Sequence, residues 1–326
     1  MEKSRRGEKA RAAVAALLLL ALAGTASGQY PAKPVRFIVP SAAGGGTDII
    51  ARALAQKLSE SLGAQFVVDN RPGAGQMIGI EMAAKSSADG HTILMAASTL
   101  AINPVMYKKV PYDPLRDFAP ITQAASLANV LVVHPSLPVK SVAELIAYAK
   151  RRPGQLNFAS AGVGTSPQMS IELFKSMAGI DMVHIPYKGT SPGVVDLLAG
   201  QVSVMAPNLL TALPHIKAGK LRALAVTSAR RSASVPELPT VSEAGLPGFE
   251  AITWHGVVVP AGTPAALVER LNREIVAVLR LPDLRERLAV LGAEVQPGTP
   301  GEFADYIAAE IPKWAKVVRD SGARID

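Results

Sequence analysis

Short runs of apolar and β-branched residues alternate along this chain with amphipathic stretches. From Ile50 to Leu62, leucine or isoleucine occupies every fourth position and the charged residues lie off that stripe, as in a helix that buries one face. The short runs have the length and composition of strands. Their alternation predicts an α/β fold with mostly parallel, doubly wound sheets. The predicted strands are Val35–Val39, Gln65–Asp69, Thr92–Ala96, Val130–His134, Met182–Tyr187, Val202–Ala206, Arg222–Thr227 and His255–Val259.

Helix starts are indicated by two kinds of local pattern. The segments Ser141–Glu144 and Thr240–Glu243 have the spacing of a capping box, in which a hydroxyl and a carboxylate satisfy the first backbone N–H groups. The pairs Thr263-Pro264 and Thr299-Pro300 place a capping residue before a proline at the first helical position. We therefore predict a helix at each of these four places.

The N-terminus has the three parts of a secretory signal peptide. A basic head is followed by an uninterrupted apolar run from Ala12 to Ala23 and then by the small residues Gly24–Gly28. The apolar run is shorter than the roughly 20 residues that span a bilayer, so a cleaved signal is favoured over an anchor. We predict export to the periplasm, with residues 1–28 removed by cleavage near Gly28; cleavage after Ala26 also fits the pattern.

Length and composition narrow the function. Removing 28 of the 326 residues leaves 298, enough for about two domains of roughly 150 residues each. The chain has no cysteine, which excludes disulfides, thiolate metal sites and a cysteine nucleophile. The signal segment carries five basic and two acidic residues, so the formal charge falls from +8 to +5. The excess of positive charge is scattered along the chain, which favours an anionic ligand and lacks the clustered basic residues of a nucleic-acid-binding surface.

Two apolar segments, each followed by a proline-containing loop, indicate where the chain passes between domains. They are Asn129–His134 and Ile252–Val259. We interpret them as the two crossings of a short hinge. The first lobe is then predicted to comprise residues 29–130 plus 253–326, and the second residues 131–252.

Two glycine-rich loops, one in each predicted lobe, are candidates for binding an anion. The loop Pro40–Asp48 leaves the first strand and enters a helix, and the loop Ala159–Ser166 does the same in the second lobe. Glycines allow the backbone to approach a ligand, and helix starts present free N–H groups. Hydroxyls in the second loop add donors for a carboxylate. An ordinary glycine-rich turn capped by Asp48 is the alternative for the first loop.

Four other patterns are weaker indications of function than the two glycine-rich loops. Gly73–Gly79 resembles a dinucleotide fingerprint, but three residues separate its glycines from the preceding strand. Gly189–Gly193 matches a nucleophile elbow, but Pro192 lacks the N–H that an oxyanion hole needs. The five histidines form no metal-binding pair, so no metal and no cofactor are expected. Tyr187 and Lys188 end a predicted strand on the cleft side, or else form a surface pair.

The motifs taken together resemble the Bug family, the extracytoplasmic solute-binding receptors of tripartite tricarboxylate transporters. The resemblance runs through essentially the whole mature chain in unbroken order. The segments that carry it are Val39–Asp48, Asp69–Gly75, His184–Gly189, Asp196–Val202, Leu213–Thr227 and Pro239–Gly245.

The resemblance implies a fold like type II periplasmic binding proteins, with two doubly wound α/β lobes closing over one small carboxylate. It implies a binding protein and not an enzyme, acting as a monomer that delivers its ligand to inner-membrane permease subunits. A receptor for a membrane sensor kinase, or an exported enzyme on the same fold, are the alternatives. The expected ligand-binding residues are Ser41, Ala42, Gly44, Gly45, Gly46, Ser98, Ala161, Gly162, Gly164, Thr165, Ser166, Tyr187, Pro207 and Asn208.

Three departures from the family pattern bear on the ligand. Ser41 and Ala43 stand where an aromatic residue and a proline are usual, and Gln168 stands where a histidine is common. Many members have Met-Phe-Asp where this chain has Met-Ala-Pro, followed by Asn208. An uncharged, roomier pocket floor disfavours an amino acid. The expected ligand is a dicarboxylate, a tricarboxylate or an aromatic acid.

Overall fold

A computed structural model describes residues 30–290 and 292–323. The predicted signal peptide lies outside these residues. Within the described residues, no helix is long and apolar enough to cross a bilayer. The strands are β1 (Val35–Val39), β2 (Phe66–Asn70), β3 (Thr92–Ala97), β4 (Phe118–Ala128), β5 (Val130–Val133), β6 (Asn157–Ser160), β7 (Val183–Pro186), β8 (Val204–Met205), β9 (Arg222–Val226), β10 (Ile252–Pro260) and β11 (Ala293–Val295). The helices are α1 (Gly46–Leu62), α2 (Met77–Ala84), α3 (Thr99–Met106), α4 (Val142–Lys150), α5 (Ser166–Ala178), α6 (Thr190–Leu198), α7 (Leu209–Lys217), α8 (Ala265–Leu279), α9 (Pro282–Val290) and α10 (Pro300–Ser321), with a 3₁₀ turn at Ala74–Gln76.

The strands form two sheets. The first has the order β11-β4-β10-β3-β1-β2, and its core includes Ile38, Leu94 and Phe303 around the fully buried Trp254. The second has the order β7-β6-β8-β5-β9. This sheet has a hydrophobic core on each face. Side chains alternate along a strand, so the neighbouring residues Val132 and Val133 pack into different cores. The two-sheet α/β architecture agrees with the fold predicted from the sequence.

The prediction of mostly parallel sheets was wrong. Strands β1, β2 and β3 are parallel, as are β6, β7 and β8, but β4, β5, β9, β10 and β11 pair with other strands of the described chain only in the antiparallel direction. The cause lies where the chain changes sheet. Only Asn129 separates β4 from β5, so one nearly continuous segment runs from the first sheet into the second. Strand β10 returns the chain to the first sheet beside β4, so these two neighbours run in opposite directions and no helical crossover makes them parallel.

All eight predicted strands occur, with ends that shift by at most three residues. Strands β4, β6 and β11 were not among the eight. β4 contains Pro120 and several polar residues, and its pairing with β10 has two register shifts, so its buried positions follow no simple alternation.

Two of the four predicted helix starts are confirmed. The Ser141 side chain accepts a hydrogen bond from the Glu144 backbone N–H at the start of α4. Thr299 and Glu302 form a complete capping box at the start of α10.

Of the other two, the helix predicted at Thr240–Glu243 is absent from the described residues, and the helix predicted at Thr263-Pro264 occurs but is not capped by Thr263. Thr240 and Glu243 form the reciprocal hydrogen bonds of a capping box, at 3.0 and 3.1 Å, but they close a turn that no helix follows. Gly245, with φ +125°, breaks any helical continuation. The Thr263 hydroxyl donates instead to the Pro260 carbonyl at 2.7 Å, so Pro264 is the N-cap of α8.

Candidate functional site

Six strand-loop-helix units direct their loops to one place. Three come from the first sheet (β1–α1, β2–α2 and β3–α3) and three from the second (β6–α5, β7–α6 and β8–α7). The strands within each trio are parallel, so their carboxyl ends lie along one edge of each sheet. Ligands of open α/β sheets bind at such edges.

Residues from all six helix starts form the wall of one small cavity, which we term the inner cavity. None of its lining side chains is charged. The wall consists of Ser41, Gly45, Gly46, Thr47, Gln76, Ala97, Thr99, Ala161, Thr165, Ser166, Pro167, Thr190, Asn208 and Thr253.

The helix starts around this cavity share one feature. None of the six has a side chain that caps its N-terminal N–H groups. Among the helices whose starts do not line the cavity, α4 and α10 are capped by Ser141 and Thr299, whereas α8 has no side-chain cap. Each uncapped start leaves backbone N–H groups without an intrahelical acceptor, together with the positive end of a helix dipole. The inner cavity is therefore a neutral-walled site suited to a negatively charged ligand.

The first loop is held in place by its own polar residues. Asp48 accepts hydrogen bonds from the Gly44 N–H at 2.8 Å and the Asn70 amide at 2.9 Å, and Arg52 donates to the same carboxylate. Burial alone raises the pKa of Asp48, but these donors and the Arg52 charge hold that pKa below its usual value. Asp48 therefore stays ionised and fixes the loop. The Ser41 hydroxyl, which is buried on the inner wall, has no hydrogen-bond partner in the described part of the chain.

The second loop is also ordered from within. The Thr165 hydroxyl donates to the Gly162 carbonyl at 2.6 Å, and the Gly164 N–H donates to the Gln168 side chain at 2.7 Å. The Ser160 hydroxyl lies 2.6 Å from the His184 Nε2 atom. Burial and the nearby charge of Lys175 lower the pKa of His184 to about 4. Gln168, the residue at which the sequence departs from the family pattern, thus supports the loop.

Segments that follow strands of the two sheets contact each other at the cavity. The Ser191 hydroxyl donates to the Ala43 carbonyl at 3.2 Å, and the Tyr107 hydroxyl donates to the Val163 carbonyl at 3.2 Å. A Cβ atom added to Gly46 would lie 2.7 Å from the Asn208 Oδ1 atom. The structure is therefore closed around the inner cavity.

A buried hydrogen-bond cluster lies behind the cavity, where the chain passes between the sheets. The Asn208 amide donates to Asn129 at 2.7 Å and to the Thr253 hydroxyl at 2.9 Å. The Thr253 hydroxyl lies 2.8 Å from the Ser166 hydroxyl, and Asn129 donates to Ser166 and to Ser170. Asn129 follows β4 and Thr253 lies in β10, so this cluster joins both crossings to the cavity wall.

A second cavity adjoins the first and is termed the outer cavity. The two share Ser41, Gln76 and Ala161. The remaining wall of the outer cavity is formed by Pro40, Gly73, Ala74, Gly75, Tyr187, Lys188 and Gly189.

The structure brings many of the sequence-predicted site residues together. Those that line one of the two cavities are Ser41, Gly45, Gly46, Ala161, Thr165, Ser166, Tyr187 and Asn208. Those that line neither are Ala42, Gly44, Ser98, Gly162, Gly164 and Pro207.

Some of these residues have partners within the protein. The buried Ser98 hydroxyl accepts a hydrogen bond from the Trp254 N–H at 3.0 Å, and the Pro207 carbonyl accepts one from Val130. The Tyr187 hydroxyl donates to Asp196 at 2.6 Å, and burial together with that carboxylate raises its pKa to about 12. Their roles in binding stay predictions.

Sequence reasoning missed Thr47, Gln76, Thr99, Thr190 and Thr253 on the inner wall. Four of these are polar residues at the start of a helix that follows a parallel strand. The available signal was the repeated strand-loop-helix unit, of which only two copies were recognised as binding loops.

The described residues contain no cluster of three or more histidine, aspartate or glutamate side chains that could hold a metal ion. His255 lies at the base of the site, with its Nε2 atom 3.0 Å from the Thr47 hydroxyl. Burial lowers the pKa of His255 to about 3, so it is neutral near pH 7.

The chain is similar to proteins of known family and structure. Residues 50–323 match the model of the tripartite tricarboxylate transporter family receptor. The chain belongs to that family. BugT of Bordetella pertussis (strain Tohama I) is 42% identical over 298 residues, with 91% of each chain covered. The Bug-family resemblance inferred from the motifs is confirmed.

Solved structures of similar proteins agree. Rpa4515 of R. palustris, solved with adipate, has a TM-score of 0.88 and 40% identity, over 90% of this chain and 98% of that one. MatC from Rhodopseudomonas palustris, with bound malate, has a TM-score of 0.85 and 32% identity, over 89% and 100% of the two chains. The protein is thus a solute-binding receptor of the tripartite tricarboxylate transporter family with the expected fold.

Proposed function

We propose that this receptor captures a small carboxylate in the inner cavity and delivers it to the permease of a tripartite tricarboxylate-type transporter. The convergence of six uncapped helix starts on a cavity without charged side chains is the observation that carries the proposal. The adipate and malate bound by two similar receptors support a carboxylate as the ligand.

The proposed binding works through preorganised donors. A carboxylate accepts up to about four hydrogen bonds, and helix-start N–H groups with nearby hydroxyls meet that number without a lysine or arginine. Thr47, Thr165 and Ser166 offer buried hydroxyls at helix starts on the inner wall. To donate to the ligand, the Thr165 hydroxyl would turn away from the Gly162 carbonyl and the Ser166 hydroxyl away from the Ile252 carbonyl. The contribution of each residue is part of the proposal.

The proposed movement is a hinge closure between residues 29–130 plus 253–326 and residues 131–252. Each crossing carries a member of the buried cluster, Asn129 on one and Thr253 on the other. The cluster also includes Asn208 and Ser166 from the inner wall, so the ligand and the hinge share one hydrogen-bonded unit. Closure would then exclude water from the bound carboxylate.

We further propose that the chain works in the periplasm as a monomer and without catalysis. The N-terminal pattern of basic, apolar and small residues supports export, and the receptor family supports the compartment. Release to inner-membrane permease subunits would then follow from opening of the lobes.

A thermal-shift and calorimetry screen tests the proposal. The panel comprises succinate, glutarate, adipate, malate, citrate and nicotinate, each paired with its neutral amide. An acid present at about 100 times its Kd stabilises the fold by about 2.7 kcal/mol, and the amides should have no comparable effect. NMR of the recovered ligand should show it unchanged.

Three results would contradict the proposal. Equal stabilisation by acid and amide would remove the anion preference. Stabilisation by a sugar or an amine, with none by any acid, would show that the ligand class is wrong. A product signal in the NMR spectrum would show that the protein is an enzyme.

A further inference from the structure

Gln76 is a buried polar side chain that lacks a partner at its amide oxygen. The residue is 8% exposed, and its Oε1 atom forms no hydrogen bond with any residue that the structure describes. Ser41, which is 6% exposed, has an unpartnered hydroxyl in the same way. Buried amides and hydroxyls are nearly always paired in folded proteins, since leaving them unpaired is costly. Asn103 and Thr211 also have an unpartnered buried atom among the described residues, but only Gln76 and Ser41 of these four line the cavities, where a ligand can supply the missing partner.

Their position supports that interpretation. Gln76 and Ser41 are two of the three residues that line both the inner and the outer cavity. They thus lie at the junction of the two cavities. The inner cavity contains the helix starts, whereas the outer cavity contains Lys188, a positively charged side chain. A ligand whose carboxylate contacts the helix starts would place its other end at this junction.

The backbone at Gln76 is held in an uncommon conformation. Its φ of +74° and ψ of −3° lie in the left-handed region, which favours glycine. The turn is fixed from outside, because the Asn103 side chain donates to the Gly75 carbonyl at 3.0 Å. Strained positions of this kind gather at functional sites, where the side chain supplies something that glycine cannot. Here the side chain supplies a buried amide.

We propose that Gln76 is a specificity-determining residue that hydrogen-bonds a second polar group of the ligand, at the end opposite the carboxylate held by the helix starts. This inference rests on the proposed function and refines it. The receptor then selects carboxylates that carry a second hydrogen-bonding group over monocarboxylates with an apolar tail. Lys188 makes a second carboxylate the favoured group, so the preferred ligands are dicarboxylates.

The experiment compares pairs of acids that differ only in the second carboxylate. Calorimetric Kd values are measured for adipate against hexanoate and for succinate against butyrate. The variants are Gln76→Gly, which removes the amide and accepts the left-handed backbone, and Gln76→Asn, which keeps a shorter amide. Gln155→Gly is the control, because Gln155 is exposed in a turn and lines neither cavity.

The wild-type protein should prefer the dicarboxylate of each pair. Gln76→Gly should weaken dicarboxylate binding roughly 10- to 100-fold, because the ligand group loses its buried partner, and change monocarboxylate binding by less than about threefold. Gln76→Asn should restore part of the loss. The Gln76→Gly protein should melt no lower than wild type, which a purely structural role of the amide would not predict.

Two results would overturn the inference and leave the carboxylate receptor in place. One is an equal loss for both members of a pair in Gln76→Gly, and the other is wild-type dicarboxylate affinity in that variant. A preference of the wild-type protein for the monocarboxylates would also overturn the inference about Gln76. A wild-type protein that binds no carboxylate at all would overturn the proposed function itself.

Discussion

Replacing Gly46 with alanine should weaken ligand binding while leaving the free protein as stable as before. Gly46 is the first residue of α1, where alanine is a better helix former than glycine by up to about 1 kcal/mol. In the closed structure, however, the new Cβ would lie 2.7 Å from the Asn208 Oδ1 atom, well inside van der Waals contact. The clash arises only when the two proposed lobes are together.

The size of the effect follows from how Asn208 is held. Moving its side chain aside would disturb its hydrogen bonds to Asn129 at 2.7 Å and Thr253 at 2.9 Å. Each buried hydrogen bond contributes a net of about 0.5–1.5 kcal/mol, so the closed state should lose about 1–3 kcal/mol. Because the open state avoids the contact, this cost falls on closure and raises Kd by about 5- to 150-fold.

The assay is calorimetry for Kd and thermal melting for the ligand-free protein. Gly301→Ala is the matched control, since Gly301 also lies in the first turn of a helix and has no atom within 4 Å of the added Cβ. The control should bind like wild type. Wild-type affinity in Gly46→Ala would refute the reasoning, as would a lower melting temperature without ligand.

Three further predictions concern single polar groups. Thr165→Val keeps the volume but removes a hydroxyl from the inner wall, so carboxylate Kd should rise about fivefold by calorimetry; an unchanged Kd would remove that hydroxyl from the site. Thr253→Val removes the hydroxyl that contacts both Asn129 and Asn208, and urea unfolding should show a loss of about 1–3 kcal/mol; a loss below about 0.5 kcal/mol would show that the cluster does not stabilise the fold. The pKa of His255 is about 3 in the folded protein and about 6.5 when unfolded, so its contribution is complete above pH 6.5 and is lost as the pH falls toward 3. The free energy of unfolding should drop by about 2 kcal/mol more between pH 7.5 and pH 5 in wild type than in His255→Gln, and equal drops would contradict this.

The parts of the fold that depend on local pattern could be predicted from the sequence. The strand Val35–Val39 was predicted to the residue, because a short apolar run ends there at a proline and a glycine-rich loop. Strand β4 could not be predicted in the same way. Its pairing with β10 has two register shifts, which depend on the folded structure. They interrupt the alternation of buried and exposed positions by which a strand is recognised in a sequence.

The candidate site divides along the same line. The two glycine-rich loops could be predicted because glycines and hydroxyls stand out in sequence, and residues of both line the inner cavity. Gln76 could not, since its burial and its missing partner result from how the turn at Ala74–Gln76 packs against the rest of the site. In the sequence, this segment belonged to a dinucleotide-like pattern whose spacing was wrong for that ligand, and the family motif Asp69–Gly75 ends one residue before Gln76.

A crystal structure of the receptor with its tightest-binding carboxylate tests the central claim most directly. We predict a carboxylate oxygen at about 2.7–3.2 Å from backbone N–H groups at the helix starts around Gly46 and Ser166, with no lysine or arginine paired to it. A carboxylate bound instead to a basic side chain outside the inner cavity, such as Arg230 in the cleft beside Glu250 and Glu294, would contradict the account.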